Sequence, residues 1–188
     1  MKKGIMLTAA LLLSACSSTI ENTWYQLPSH SAAMQVRSGG EAEPPMLWVQ
    51  QVTVPDYLAG NGLAFQTSDV KYVIAANNLW ASPLDQQLQQ TLVTNLSKAL
   101  PGRLVSSAPL GEQHDTLSVT VTGFHGRYDG RAVVSGEWVL QHQGHITKQE
   151  FNLALPQNDD GYDALVRTLS VGWQQTAQQI ANAAAVQN

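Results

Sequence analysis

Five leucines, Leu84, Leu88, Leu92, Leu96 and Leu100, recur every fourth residue between Ser82-Pro83 and Pro101-Gly102. A four-residue step stays on one side of a 3.6-residue helix, and Val93 widens the stripe. Ser82 reads as the N-cap and Pro83 as the first helical residue, while Asp85 puts a negative charge in the first turn, where the helix dipole favours it. Pro101-Gly102 stops the helix. The opposite side carries Gln86, Gln87, Gln89 and Gln90, which predicts a glutamine face in water and a leucine face on a sheet. Such a helix must be covered on one side, so the chain needs a second layer.

That layer is written in period two. "TLSVTVTGF" from Thr116 alternates Leu117, Val119 and Val121 with Ser118, Thr120 and Thr122, as a half-buried strand does. Asp129-Gly130 predicts a hairpin into a strand over 132–141, and Gln143-Gly144 a second hairpin into 146–155. Upstream, "MLWVQQVTV" ends at Pro55, and 63–66 and 70–75 read as short strands with Asn77-Asn78 as a turn. Residues 24–27 read as a first strand closed by Pro28, and the Ser-, Gly-, Ala-, Glu- and Pro-rich stretch at about 29–45 as a mobile loop. A closing helix over about 160–184 carries Leu165, Leu169, Trp173, Ala177 and Ile180 on one stripe. The expected fold is an α+β two-layer domain, a largely antiparallel sheet with two main helices on one face. Trp48, Trp80, Trp138 and Trp173 are expected to pack in its core.

The start of the chain is not part of that domain. Lys2-Lys3, an apolar run of about ten residues and Ser14-Ala15 form the three parts of a secretory signal, too short for the roughly 20 residues that span a bilayer. The run ends at Cys16, the only cysteine of 188 residues. Three readings of that thiol stand beside one another. A catalytic cysteine needs a base and a cleft, which the edge of a signal does not supply. An ordinary signal with an incidental cysteine is the second reading. The third rests on Leu13-Ser14-Ala15-Cys16, which resembles the lipobox of bacterial lipoproteins. That resemblance implies cleavage before Cys16, a diacylglyceryl thioether on its sulfur and a further acyl chain of the palmitate kind on its new amino group. Two or more chains hold a protein stably where one does not, at about 0.8 kcal/mol per buried CH₂. Ser17, where inner-membrane retention calls for Asp, implies the outer membrane. The expected organisation is a signal peptide at 1–15, a lipid anchor and tether at 16–22, and a single periplasmic domain at 23–188. If 24–27 docks into the sheet, which two adjacent aromatics favour, the six tether residues reach at most ~20 Å.

Charge and chemistry narrow the function further. Net charge is −4, becoming −6 once cleavage removes Lys2 and Lys3, and no other Lys/Arg cluster exists to neutralise phosphates, so nucleic acid is set aside. His142 and His145 flank a hairpin tip without a cysteine or an evident carboxylate partner, and read as exposed turn residues rather than metal ligands. Asp159, Asp160 and Asp163 suit a helix start without an ion. No nucleophile elbow, P-loop or dinucleotide fingerprint is present. The expected catalytic, metal and cofactor sets are empty apart from covalent lipid on Cys16. Tyr57 and Leu58, displayed after Pro55 in "VPDYLAGNG", either cover the core edge or form a contact for a partner or lipid.

Two segments occur together in a known setting: Val54-Pro55-Asp56-Tyr57-Leu58, and Leu79-Trp80-Ala81-Ser82-Pro83-Leu84 opening the leucine ladder, with "GRYDG" and "VSGEW" downstream. Following a lipobox, they resemble the ABC-type transport auxiliary lipoproteins over essentially the whole mature chain. The resemblance implies an outer-membrane lipoprotein facing the periplasm. It would act as a non-enzymatic docking component of an MCE-type system that moves lipids between inner and outer membranes and supports envelope integrity. Its implied partners are a PqiB-like MCE protein, indirectly a PqiA-like membrane protein, and outer-membrane lipid. A symmetric conduit further predicts a homo-oligomeric ring. Cys16 carries over as the lipidation site; Pro55, Tyr57 and Leu58 carry over as a candidate partner contact. A lipid-binding carrier domain and a purely structural envelope lipoprotein are the alternatives.

Overall fold

The computed structural model describes residues 21–28 and 44–186. They form one eight-stranded sheet with helices, in the chain order β1 (Thr23–Tyr25), β2 (Met46–Thr53), α1 (Asp56–Ala59), β3 (Gly62–Gln66), β4 (Tyr72–Trp80), α2 (Leu84–Ala99), β5 (Leu104–Ser106), β6 (Asp115–Arg127), β7 (Arg131–His142), β8 (His145–Pro156) and α3 (Tyr162–Val186). The expected mobile loop lies almost wholly outside the described residues, as does Cys16.

The long strands follow their alternation. β6, β7 and β8 form an antiparallel meander with eleven residue pairs in the first ladder and twelve in the second. Both expected hairpins are present. Tyr128, Asp129 and Gly130 close the first, with the Gly130 N–H donating to Arg127 O at 3.0 Å. Gln143 and Gly144 close the second with φ of 47° and 82°, the left-handed pair that matches strand twist. Gly136 is required where β7 crosses the β6 bulge: a Cβ there would lie 2.2 Å from Thr120 O and 2.8 Å from the Phe151 ring.

The remaining strands pair by a route that local pattern does not encode. One side of β6 is shared: β2 runs parallel along its first half, and Phe65-Gln66 of β3 run parallel to Gly126-Arg127 at its far end. β5 adds in parallel to β2, β4 antiparallel to β3, and β1 in parallel to β4. The first strand therefore docks, as expected. The architecture is the expected two-layer α+β domain, with long antiparallel ladders and short parallel ones.

Three local expectations are corrected. Asn77-Asn78 is not a turn; β4 runs through it, because β1 pairs there (Thr23 with Asn78) and the Tyr25 hydroxyl donates to Asn78 Oδ1 at 3.3 Å. The hairpin between β3 and β4 closes earlier, where the Thr67 N–H donates to Lys71 O at 2.8 Å. Ser82 does not cap α2 through its hydroxyl: the helix opens after Pro83 without a side-chain cap. Finally, the glutamine face is divided. Gln86 and Gln90 are exposed, but Gln87 is buried, accepting from the Leu27 N–H and donating to Ser82 O, both at 2.9 Å. Gln89 donates to Val49 O at 3.0 Å and to Gln50 O at 3.3 Å, at the point where the β2 register shifts. Buried polar groups must be paired, and these two amides pair the irregular backbone of the chain entry and the bulge. Strand β5, three residues in a serine-rich stretch, carries no signal that the sequence reading used.

Between sheet and helices the space is filled. Leu88, Leu92 and Leu96 are fully buried, as are Trp138, Trp173 and Phe124 to within 1%. Trp173 of α3 meets Phe124 and Phe151 edge-on at 6.4 and 6.2 Å, and its indole N–H donates to Leu88 O of α2 at 3.1 Å, locking the two helices side by side. Gly172 lets α3 approach this closely, since a Cβ would lie 2.7 Å from a Val134 methyl and 2.9 Å from one of Leu155. Trp80 is buried as expected, whereas Trp48 is only half-buried, donating to Ser107 O at 3.2 Å.

Candidate functional site

The segment after Pro55 is a single helical turn rather than an open loop, held by the Leu58 and Ala59 N–H groups on Pro55 O at 2.8 and 3.1 Å. It divides the candidate contact. Leu58 is 1% exposed and belongs to the core, because a one-turn helix at the sheet margin can seat only one of two adjacent apolar side chains inside. Pro55 and Tyr57 are half-buried and are what the turn offers outward.

Tyr57 does not stand alone. Its ring lies 4.9 Å from Tyr72 of β4 and 6.4 Å from His125 of β6, and Tyr72 meets His125 edge-on at 5.1 Å. Phe124 touches Trp173, so its neighbour His125 points to the side of the sheet away from α3. The Tyr57 hydroxyl donates to Thr122 O at 2.9 Å, at the β6 bulge. Burial, then the neighbouring Tyr72 hydroxyl, pushes the Tyr57 pKa up to about 12, so it remains a neutral donor. Burial also lowers the pKa of His125, against an opposing hydrogen bond from its ring to Gly126 O, and the nearby Arg127 adds to the lowering. Tyr72 and His125 were missed by the sequence reading; only the parallel pairing of β3 on β6 brings them beside Tyr57.

A second polar cluster lies at the other end of β6. Asp115, buried, accepts from Arg103 Nη2 and from the His142 ring, whose Nδ1 is 2.8 Å from its Oδ1. The view of His142 as an exposed turn residue without a carboxylate partner is thereby corrected. Register explains it: the first β6 residue lies alongside the last β7 residues. The cluster ties the approach to β5, the start of β6 and the end of β7 together. Among the described residues no group of three or more His, Cys, Asp or Glu side chains could hold a metal ion, and no helix is long and apolar enough to cross a membrane.

Two open depressions lie on the surface of the described residues. One of about 410 Å³ lies between the end of β2, α1 and the start of α2, lined by Val52, Val54, Ala59, Pro83 and Asp85 among others. Another of about 320 Å³ is lined by Thr122, Ser135, Glu137, Glu150 and Asn152 of the meander. Both are open to solvent, and neither is an enclosed cavity.

Residues 25–181 match the family model of the ABC-type transport auxiliary lipoprotein component. Intermembrane transport lipoprotein PqiC of Escherichia coli (strain K12) is 58% identical over 183 residues, 96% of each chain, and PqiC of Shigella flexneri matches equally. A crystal structure of an uncharacterized protein superposes with a TM-score of 0.78 at 57% identity, covering 86% of this chain and 97% of that one. Protein XCC0632 from Xanthomonas campestris shares the fold at a TM-score of 0.67 with 14% identity, covering 88% and 100%. With the match spanning all but the N-terminal segment and the last few residues, the chain belongs to the ABC-type transport auxiliary lipoproteins, a transport-associated family and not a family of enzymes.

Proposed function

We propose that the protein is the outer-membrane docking component of an MCE-type lipid transport system, held by lipid on Cys16 with its domain in the periplasm. The observation that carries this reading is the filled layer between sheet and helices: a domain whose interior is occupied by Leu88, Leu92, Phe124, Trp138 and Trp173 works through its surface. The same packing favours docking over a carrier that would enclose a lipid. The likeness to intermembrane transport lipoproteins supports a role in transport between membranes, and the proposed direct partner is a PqiB-like MCE protein, with a PqiA-like membrane protein as the indirect one. Pro55 and Tyr57 are the proposed contact, and Leu58 supports them from beneath. A symmetric conduit is met by a ring of these chains.

Photo-crosslinking in cells tests the reading. A crosslinker at position 57 is expected to capture the MCE protein, while one at Gln143 is not. No capture from 57 in a protein that still fractionates with the outer membrane would favour a purely structural lipoprotein. Labelled palmitate incorporation, abolished by Cys16→Ser, checks the anchor, and light scattering of the domain checks the ring.

A further inference from the structure

β4 is an edge strand along most of its length, because β1 covers only Asn78 to Trp80. Among the described residues, no strand pairs with the outer side of 72–77. An unprotected edge is ordinarily blunted by charge or proline. Here it carries Tyr72, Val73 and Ile74, exposed at 43, 54 and 43%, and the adjoining turn presents Val70 at 77%. Three consecutive apolar residues on a strand leave both faces of the edge apolar at 72–74, while the turn beyond sets Val70 among Thr67, Ser68, Asp69 and Lys71.

What covers it follows from where the chain enters. β1 runs parallel to β4, so the chain preceding Thr23 reaches the sheet from the Tyr72 end. Tyr72 lies six residues before Asn78, about 20 Å along the strand. Six tether residues, 17–22, span at most ~20 Å. A lipid on Cys16 and the tip of the β3–β4 hairpin therefore reach the same level, and the tether is too short to hold a bilayer clear of the tip when the strands stand along the membrane normal. The β6–β7 turn lies at this same end of the sheet, since Phe65 pairs with Gly126, and it adds Tyr128 at 59% exposure. Tyrosines and aliphatic side chains at one end of a domain suit a headgroup boundary, where each ring keeps its hydroxyl wet. Charge at the hairpin turn is balanced, Asp69 against Lys71, so attachment there is apolar rather than electrostatic.

The geometry points to the β3–β4 hairpin tip, Val70, Tyr72 and Val73 foremost, as a membrane-resting edge that seats the domain on the phospholipid leaflet holding Cys16. This rests on the lipid anchor proposed above. With Cys16 capped by lipid, Val70→Cys introduces the only free thiol of the full-length lipidated protein, and Gln143→Cys does the same at the opposite end of the sheet. Each is labelled with an environment-sensitive fluorophore and reconstituted in phosphatidylethanolamine/phosphatidylglycerol vesicles with nitroxide-bearing lipids. The label at 70 is expected to shift to the blue and to be quenched by the lipid at least about twofold more than the label at 143, with little change in high salt. Equal exposure of both labels to a water-borne quencher overturns the inference. So does a label at 70 shielded from water but untouched by lipid nitroxide, which would assign the edge to a second copy of the chain. Intact mass of the same sample reads the anchor separately: an unmodified Cys16 overturns both readings, while a lipidated protein with a wet label at 70 overturns this one alone.

Discussion

The β6–β7–β8 meander and the β1–β4–β3 arm belong to one sheet but are built to different standards. The meander has ladders of eleven and twelve residue pairs, a close-packed helix over it and, among the described residues, an outer edge on β8 that carries Lys148, Gln149 and Glu150. The arm is joined by ladders of three, four and two residue pairs and leaves an edge of Tyr72, Val73 and Ile74. Stability in the arm is therefore borrowed from the meander, through Tyr57, the β3–β6 pairing and the core below. The β8 edge sets one exposed apolar residue, Ile146, beside charged Lys148 and Glu150, whereas the β4 edge exposes three apolar residues in a row.

The sharpest break of that contrast is Trp173→Ala, which removes the indole shared by Phe124, Phe151 and Leu88 O. It should cost about 4 kcal/mol in urea unfolding and destabilise meander and arm together. Next is Asp115→Ala at the meander's far end, which strands the buried Arg103 guanidinium and should cost about 3 kcal/mol. Tyr57→Phe deletes only the bond to Thr122 O, about 1 kcal/mol, and its signature is local: amides of β3 and β4 should exchange faster while those of β7 do not. His125 gives a pH test at the joint between the two regions. Its folded pKa is lowered chiefly by burial, so the unfolded state takes the proton first as pH falls through about 6.5, and stability must drop below that pH. His125→Gln should flatten this slope between pH 7.5 and 5.5; an unchanged slope would remove His125 from the account. Smallest is Ile74→Lys, expected to alter the unfolding free energy by no more than about 0.5 kcal/mol while reducing adherence to vesicles.

What the sequence disclosed follows the same division. The leucine ladder, the meander with both turns, and α3 were legible because a period of four or two, or a Gly after Asp or Gln, is a local signal. The arm was not. Asn77-Asn78 has turn composition, yet a strand arriving from fifty residues upstream in the chain makes it ladder. Gln87 and Gln89 read as solvent because pattern alone does not show the unpaired backbone they satisfy. Of the candidate site, Pro55 and Tyr57 were visible as apolar residues near a turn, and Leu58 could be assigned inward only once the turn proved helical. Tyr72 and His125 became their neighbours through parallel pairings, which leave no short-range trace.

The parallel docking of β1 has a mechanical consequence. A lipid-held chain that is tugged, by membrane undulation or by a partner pulling on the domain, loads β1 along its own axis toward the β3–β4 tip. Its ladder bonds, together with Tyr25 O to the Ala81 N–H at 2.7 Å and the Leu27 N–H to Gln87, then share the force at once instead of opening one after another. Reversing the strand would leave a zipper to be peeled from its end; this orientation makes the junction between anchor and domain a shear joint.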